Sequence, residues 1–132
     1  MELKRHLLNS TAVSTVSTLT SLGFIAFARR TAEINPGFEP LQYGPVAISL
    51  IVSSYTAYAV FYGFKKYLNR PYELFMYLSG FILIISYMPI GHIAVGMETS
   101  RMAEINVLGT VHALAAVLII SGIAKLEIMN RI

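Results

Sequence analysis

Four apolar runs alternate with polar connections along the chain. Leu7 to Ala28, Val46 to Phe64, Tyr72 to Gly91 and Ile105 to Leu126 hold 19 to 22 residues each. As helices they reach roughly 28–33 Å, close to the hydrocarbon thickness of a bilayer. Between the second and third runs lies only Lys65-Lys66-Tyr67-Leu68-Asn69-Arg70-Pro71. A turn this short forces those two helices to lie antiparallel. The pattern predicts an all-α integral membrane four-helix bundle, one domain over residues 1–132, with helices at about 7–28, 46–64, 72–91 and 105–126. Pro45 and Pro71 stand where a first helical turn tolerates proline. Pro89 cannot donate to the helical ladder, which strands the carbonyl of Ile85 and predicts a kink or a frayed end.

The first run is apolar in length but rich in hydroxyls. Ser10, Ser14, Ser17 and Ser21 recur at steps of four, three and four, with Thr11, Thr15 and Thr18 in the adjoining row. That spacing puts them on one side of a helix. Small hydroxyl residues let membrane helices approach closely, so packing is the preferred reading, and a polar lining for a substrate path is the alternative. Ala26-Phe27-Ala28 has the form of a signal-peptidase site. Yet a secretory apolar core is usually only about 7–15 residues, which favours a retained helix. Gly109, Ala113 and Ala116 give the last helix a small-residue face of its own.

The long connection from Arg29 to Pro45 contains Pro36, Gly37, Pro40 and Gly44 and cannot be one helix. Phe38, Leu41 and Tyr43 give it an apolar side that rests on the membrane surface or caps the bundle.

Composition agrees with the pattern: 55% of the 132 residues are hydrophobic and 13% charged. The net charge of +3 is small and scattered, so nucleic acid is not an expected partner. The distribution of charge is more telling. With four spans, Lys4, Arg5, Lys65, Lys66, Arg70, Lys125 and Arg131 share one side, against Arg29, Arg30 and Arg101 on the other. The positive-inside rule then places both termini in the cytoplasm of a multi-pass cell-membrane protein.

The segment Phe38-Glu39-Pro40-Leu41, the small-residue second helix, Arg70-Pro71 with Phe75 after it, and Thr110-Val111-His112-Ala113 occur here in that order. In this the chain resembles a family of small bacterial and archaeal four-helix membrane proteins of unknown function. The resemblance implies a four-helix bundle and no particular chemistry.

Candidate chemistry is sparse. Cysteine and aspartate are absent, and no phosphate loop, HExxH pair or Ser-His-Asp set occurs, so no catalytic residue is expected. All seven Glu fall in loops, termini or first turns, which counts against an ion-coupled transporter. Asn9-Ser10-Thr11 matches a glycosylation sequon but lies at the cytoplasmic end of the first helix.

His6 is expected at the cytoplasmic surface in water. His92 and His112 fall near the outer side and are the weak candidates for a haem or metal pair. The bland reading sets a surface His92 beside a core His112 that is hydrogen-bonded between helices. In that reading His112 joins Ser21, Ser53, Ser54 and Tyr55 in a buried polar cluster, its hydroxyl partner on the first or second helix.

No metal or cofactor is called for. The expected partners are the lipid bilayer and either another membrane protein or further copies of the chain. Three functions remain: an accessory subunit acting through helix packing, a carrier or channel for a small neutral or lipophilic substrate, or a haem- or quinone-binding redox subunit using His112.

Overall fold

The computed structural model describes residues 2–32, 34–35, 37–95 and 102–129. Its elements are α1 (Glu2–Thr31), a 3-10 turn (Glu39–Leu41), α2 (Tyr43–Tyr67), α3 (Pro71–Ser86), α4 (Met88–Val95) and α5 (Met102–Met129). Four helical stretches are long and apolar enough to cross a membrane, the third being α3 and the start of α4 taken together.

The helices overrun the apolar runs, and α1 already begins at Glu2. Apolar runs mark where hydrocarbon begins, whereas Lys, Arg and Glu are good helix formers and continue the ladder into water. Arg101 and Arg131 of the charge count, and Glu33 and Glu98 of the seven Glu, lie outside the described residues.

The kink expected from Pro89 is present two residues earlier. The Tyr87 N–H turns to the Ile84 carbonyl at 3.2 Å, and the ladder resumes with Gly91 N–H on the Tyr87 carbonyl at 3.0 Å. Tyr87 also points its N–H at Ile85. The carbonyl that Pro89 strands is thereby partly satisfied, and the helix is interrupted there between α3 and α4.

α1 packs along both α2 and α5, whereas α2 and α5 touch each other little. Ser10, Ser14, Ser17, Thr18 and Ser21 are all buried, while Thr11 and Thr15 face outward. Each outward threonine donates to the carbonyl four residues back, Thr11 to Leu7 and Thr15 to Thr11, both at 2.8 Å. A hydroxyl facing hydrocarbon needs such an internal acceptor. On the buried side, Ser17 donates to the Ser14 carbonyl and Ser54 to that of Leu50. Their single protons are thus used, and the 3.5 Å approach of the two hydroxyls is a packing contact between α1 and α2. Across the other side of α1, Gly122 of α5 meets Val13 so closely that a β-carbon there would sit 3.0 Å from Val13 Cγ2.

Two apolar clusters fill the bundle. One joins Ile25, Ala28, Ile34, Phe38 and Leu41 to Ile105, Val107 and Val111, so the long connection caps this end. Arg29 fixes that cap by donating to the Leu41 carbonyl at 3.0 Å while stacking on Tyr43. Glu104, buried at the start of α5, accepts the Asn35 N–H at 3.1 Å. The other cluster holds Val13, Leu50, Tyr58, Phe61, Phe75, Ala115, Ile119 and Ile123. There Phe75 is the one buried side chain of α3, set edge-on against Phe61 at 5.1 Å.

Candidate functional site

α3 is held at its two ends. At one, Phe75 enters the core; at the other, Ser86 meets His112 and the Tyr87 hydroxyl donates to the Gly109 carbonyl at 2.9 Å. Between these points α3 stands away from α2 and α5. The gap is a cavity of about 480 Å³, open to the side, that runs between Ser49, Ser86 and His112 at one end and Val60, Phe75 and Ile119 at the other. From Ser49 to Val60 along α2 this is roughly 16 Å. Its walls are apolar, punctuated by Ser53, Thr56 and Ser79, and hold no charged side chain. A second cavity of about 290 Å³ lies towards Pro40 and Pro45 beneath the capping connection. The two share Ser49, Leu50, His112 and Ala115, so they meet beside His112 where α2 and α5 part.

The hydrogen bonds around His112 fix what it can offer. Ser86 Oγ lies 2.7 Å from the Leu83 carbonyl, which can only accept, and 2.6 Å from His112 Nε2. The serine proton goes to Leu83, so Nε2–H donates to Ser86, and the neutral ring keeps its Nδ1 lone pair as an acceptor. Tyr87 stands edge-on to the ring at 4.9 Å and limits its rotation. The site can therefore take a neutral group that donates a hydrogen bond.

The expected polar cluster forms only in part. His112 bonds to α3, not to the first or second helix. Distance from the helix end gives depth but does not say which helix is the neighbour, and here it is α3, whose last residue is Ser86. Ser53 shares the cavity with His112. Ser21 and Ser54 are fully buried against other neighbours in the bundle. Tyr55 lies outside the cluster and pairs with Thr11 at 2.7 Å. His92 is exposed on α4, and among the described residues no contact joins it to His112. Among those residues no three His or Glu gather as a metal set.

A second polar constellation lies at the opposite end of the bundle, and it corrects two expectations. His6 is buried rather than solvated, and Glu127, expected at a terminus outside the spans, is completely buried inside the last turns of α5. Glu127 Oε2 accepts from Lys65 Nζ at 2.9 Å, and its Oε1 lies 3.1 Å from His6 Nδ1 without an aligned hydrogen bond. Tyr62 stands edge-on to the His6 ring at 4.8 Å, with Tyr58 at 6.0 Å. The start of α1, the end of α2 and the end of α5 are thus tied at one end of the molecule.

A signal for both residues was present in the chain. Glu127 continues the buried four-residue stripe Val111, Ala115, Ile119, Ile123, and His6 precedes Ser10 and Ser14 at the same step.

Comparison of the chain with protein-family models, curated proteins and solved structures finds no match. The site is therefore read from its own residues.

Proposed function

We propose that this chain is a carrier or holder of a neutral, hydroxyl-bearing lipophile, which enters from the bilayer beneath α3 and sets its polar end at His112. The observation that carries the reading is the meeting of the two cavities beside His112. A side-open apolar groove admits a hydrocarbon tail from lipid. The acceptor on the ring and the hydroxyls of Ser49 and Ser53 then select a head that is uncharged and donates. The second cavity extends the path towards the capping connection, which favours transfer over simple packing. In this reading the protein sits in the cell membrane with both termini cytoplasmic and the capping connection outside.

The test is photolabelling with a long-chain alcohol carrying a diazirine, set against its methyl ether. The alcohol should label α3 and α5, and the ether, lacking the donor, should label several-fold less. His112→Phe should abolish the difference between the two. Equal labelling by alcohol and ether would overturn the reading.

One observation favours a second reading, that of an accessory subunit. Only 6% of the third span's apolar window is buried, against 28–33% for the other three, and Tyr77 and Ile84 are 77% and 70% exposed. If this face docks a partner, co-purification from native membranes should yield a stable companion protein that Tyr77→Ala/Ile84→Ala releases. The serine stripe of α1, by contrast, is used up within the chain.

A further inference from the structure

A second groove between α3 and α5 meets the first at Ile120 and differs from it in chemistry. It encloses about 550 Å³, with Met76 on α3 and Val117, Ala124 and Ile128 on α5 among its walls. Its one hydroxyl, that of Ser121, already donates to the Val117 carbonyl. The exposed lining is wholly apolar, and Lys125, exposed at the end of the groove, gives it only its aliphatic stem.

Lys65 is bound to Glu127 and Arg70 to Glu73, but among the described residues Lys125 has no ion-pair partner. It lies two residues before Glu127, at the end of the bundle where α1 begins and α5 ends. From Lys125 to Val117 the groove runs roughly 12 Å along α5 towards the middle of the span. A lysine near a helix end extends its ammonium to the headgroup level while its stem covers apolar surface.

We infer that this groove is a binding site for one anionic glycerophospholipid, an acyl chain lying between α3 and α5 and the phosphate at Lys125. Hydrocarbon alone would fill the walls, but it would leave the lysine without a counter-charge. A zwitterionic lipid brings its own cation to the same place. Charge complementarity therefore selects an anionic headgroup.

The experiment uses the full chain reconstituted in phosphatidylcholine vesicles and in phosphatidylcholine–phosphatidylglycerol vesicles, extracted gently, with retained lipid counted by native mass spectrometry. The wild type should retain phosphatidylglycerol in preference to phosphatidylcholine. Lys125→Gln should lower that preference by about fivefold, as expected for one cation at the membrane surface. The variant should keep its melting temperature, because Lys125 is exposed and unpaired. Ala124→Phe, which fills the groove without changing charge, should lower retention of both lipids. Lys4→Gln is the control for general surface attraction. Equal retention of the two lipids by the wild type, or equal loss in Lys4→Gln and Lys125→Gln, would overturn the assignment, as would undiminished retention in Ala124→Phe.

Discussion

Lys65 and Glu127 are separated by 62 positions in the chain, yet their charged atoms lie 2.9 Å apart, with the carboxylate wholly buried. Removing one partner of such a pair leaves the other without compensation. Glu127→Gln keeps the shape and should destabilise the bundle by about 3 kcal/mol, the low end of the range for buried pairs, since Lys65 retains some exposure. The double variant Glu127→Leu/Lys65→Met should recover much of the loss. Unfolding in detergent followed by circular dichroism checks both, and a harmless Glu127→Gln would show that the pair contributes nothing.

Ser17 is fully buried and its hydroxyl proton already serves the Ser14 carbonyl. Its value lies in its size. Ser17→Ala should cost about 0.6 kcal/mol, whereas Ser17→Leu overpacks the α1–α2 contact and should cost roughly 1–3 kcal/mol or prevent folding. The same unfolding measurement separates the two, and equal effects would indicate a polar rather than a steric role.

Gly122 faces Val13 with no room for a β-carbon unless the valine gives way. Gly122→Ala should therefore destabilise despite the better helix propensity of alanine, by roughly 1–3 kcal/mol. Val13→Ala in the same chain should relieve most of this. A double-mutant cycle of melting free energies reads the coupling, and simple additivity would mean that the helices do not meet there.

His112→Gln can still donate to Ser86, whereas His112→Ala leaves the serine without that partner and opens a gap between the two cavities. The glutamine variant should melt closer to the wild type than the alanine variant. The reverse order would argue that the Ser86 contact is not formed in the membrane.

A reporter fused after Ile132 should read as cytoplasmic and one inserted beside Gly37 as external. Both on one side of the membrane would contradict four crossings.

The spans were readable from the chain because hydrocarbon imposes one requirement, a run of apolar residues of sufficient length, and the four runs meet it without help from their neighbours. The serine stripe was readable for a related reason: helical spacing alone sets which residues share a face. What the chain did not disclose was which faces meet. His112 was expected opposite Ser21 or Ser53 by depth, but Ser86 at the end of α3 is its partner, and no count of residues says which helix lies beside it. Glu127 was hidden differently. It lies in a short charged segment that resembles an ordinary terminus, and only its place at the end of an apolar stripe sets it apart from Lys125 nearby.

The tie among His6, Lys65 and Glu127 has a bearing on how the protein is made. Its members stand at positions 6, 65 and 127, so no nascent chain contains it until the end of α5 has been made. Until then Lys65 lacks the carboxylate it binds in the finished protein, and the first three spans have no lock at that end. Arrival of α5 closes the assembly in one step. A chain stopped after Ile123 would present an open bundle to membrane quality-control proteases, and a pulse-chase experiment should find it far shorter-lived than one that extends through Met129.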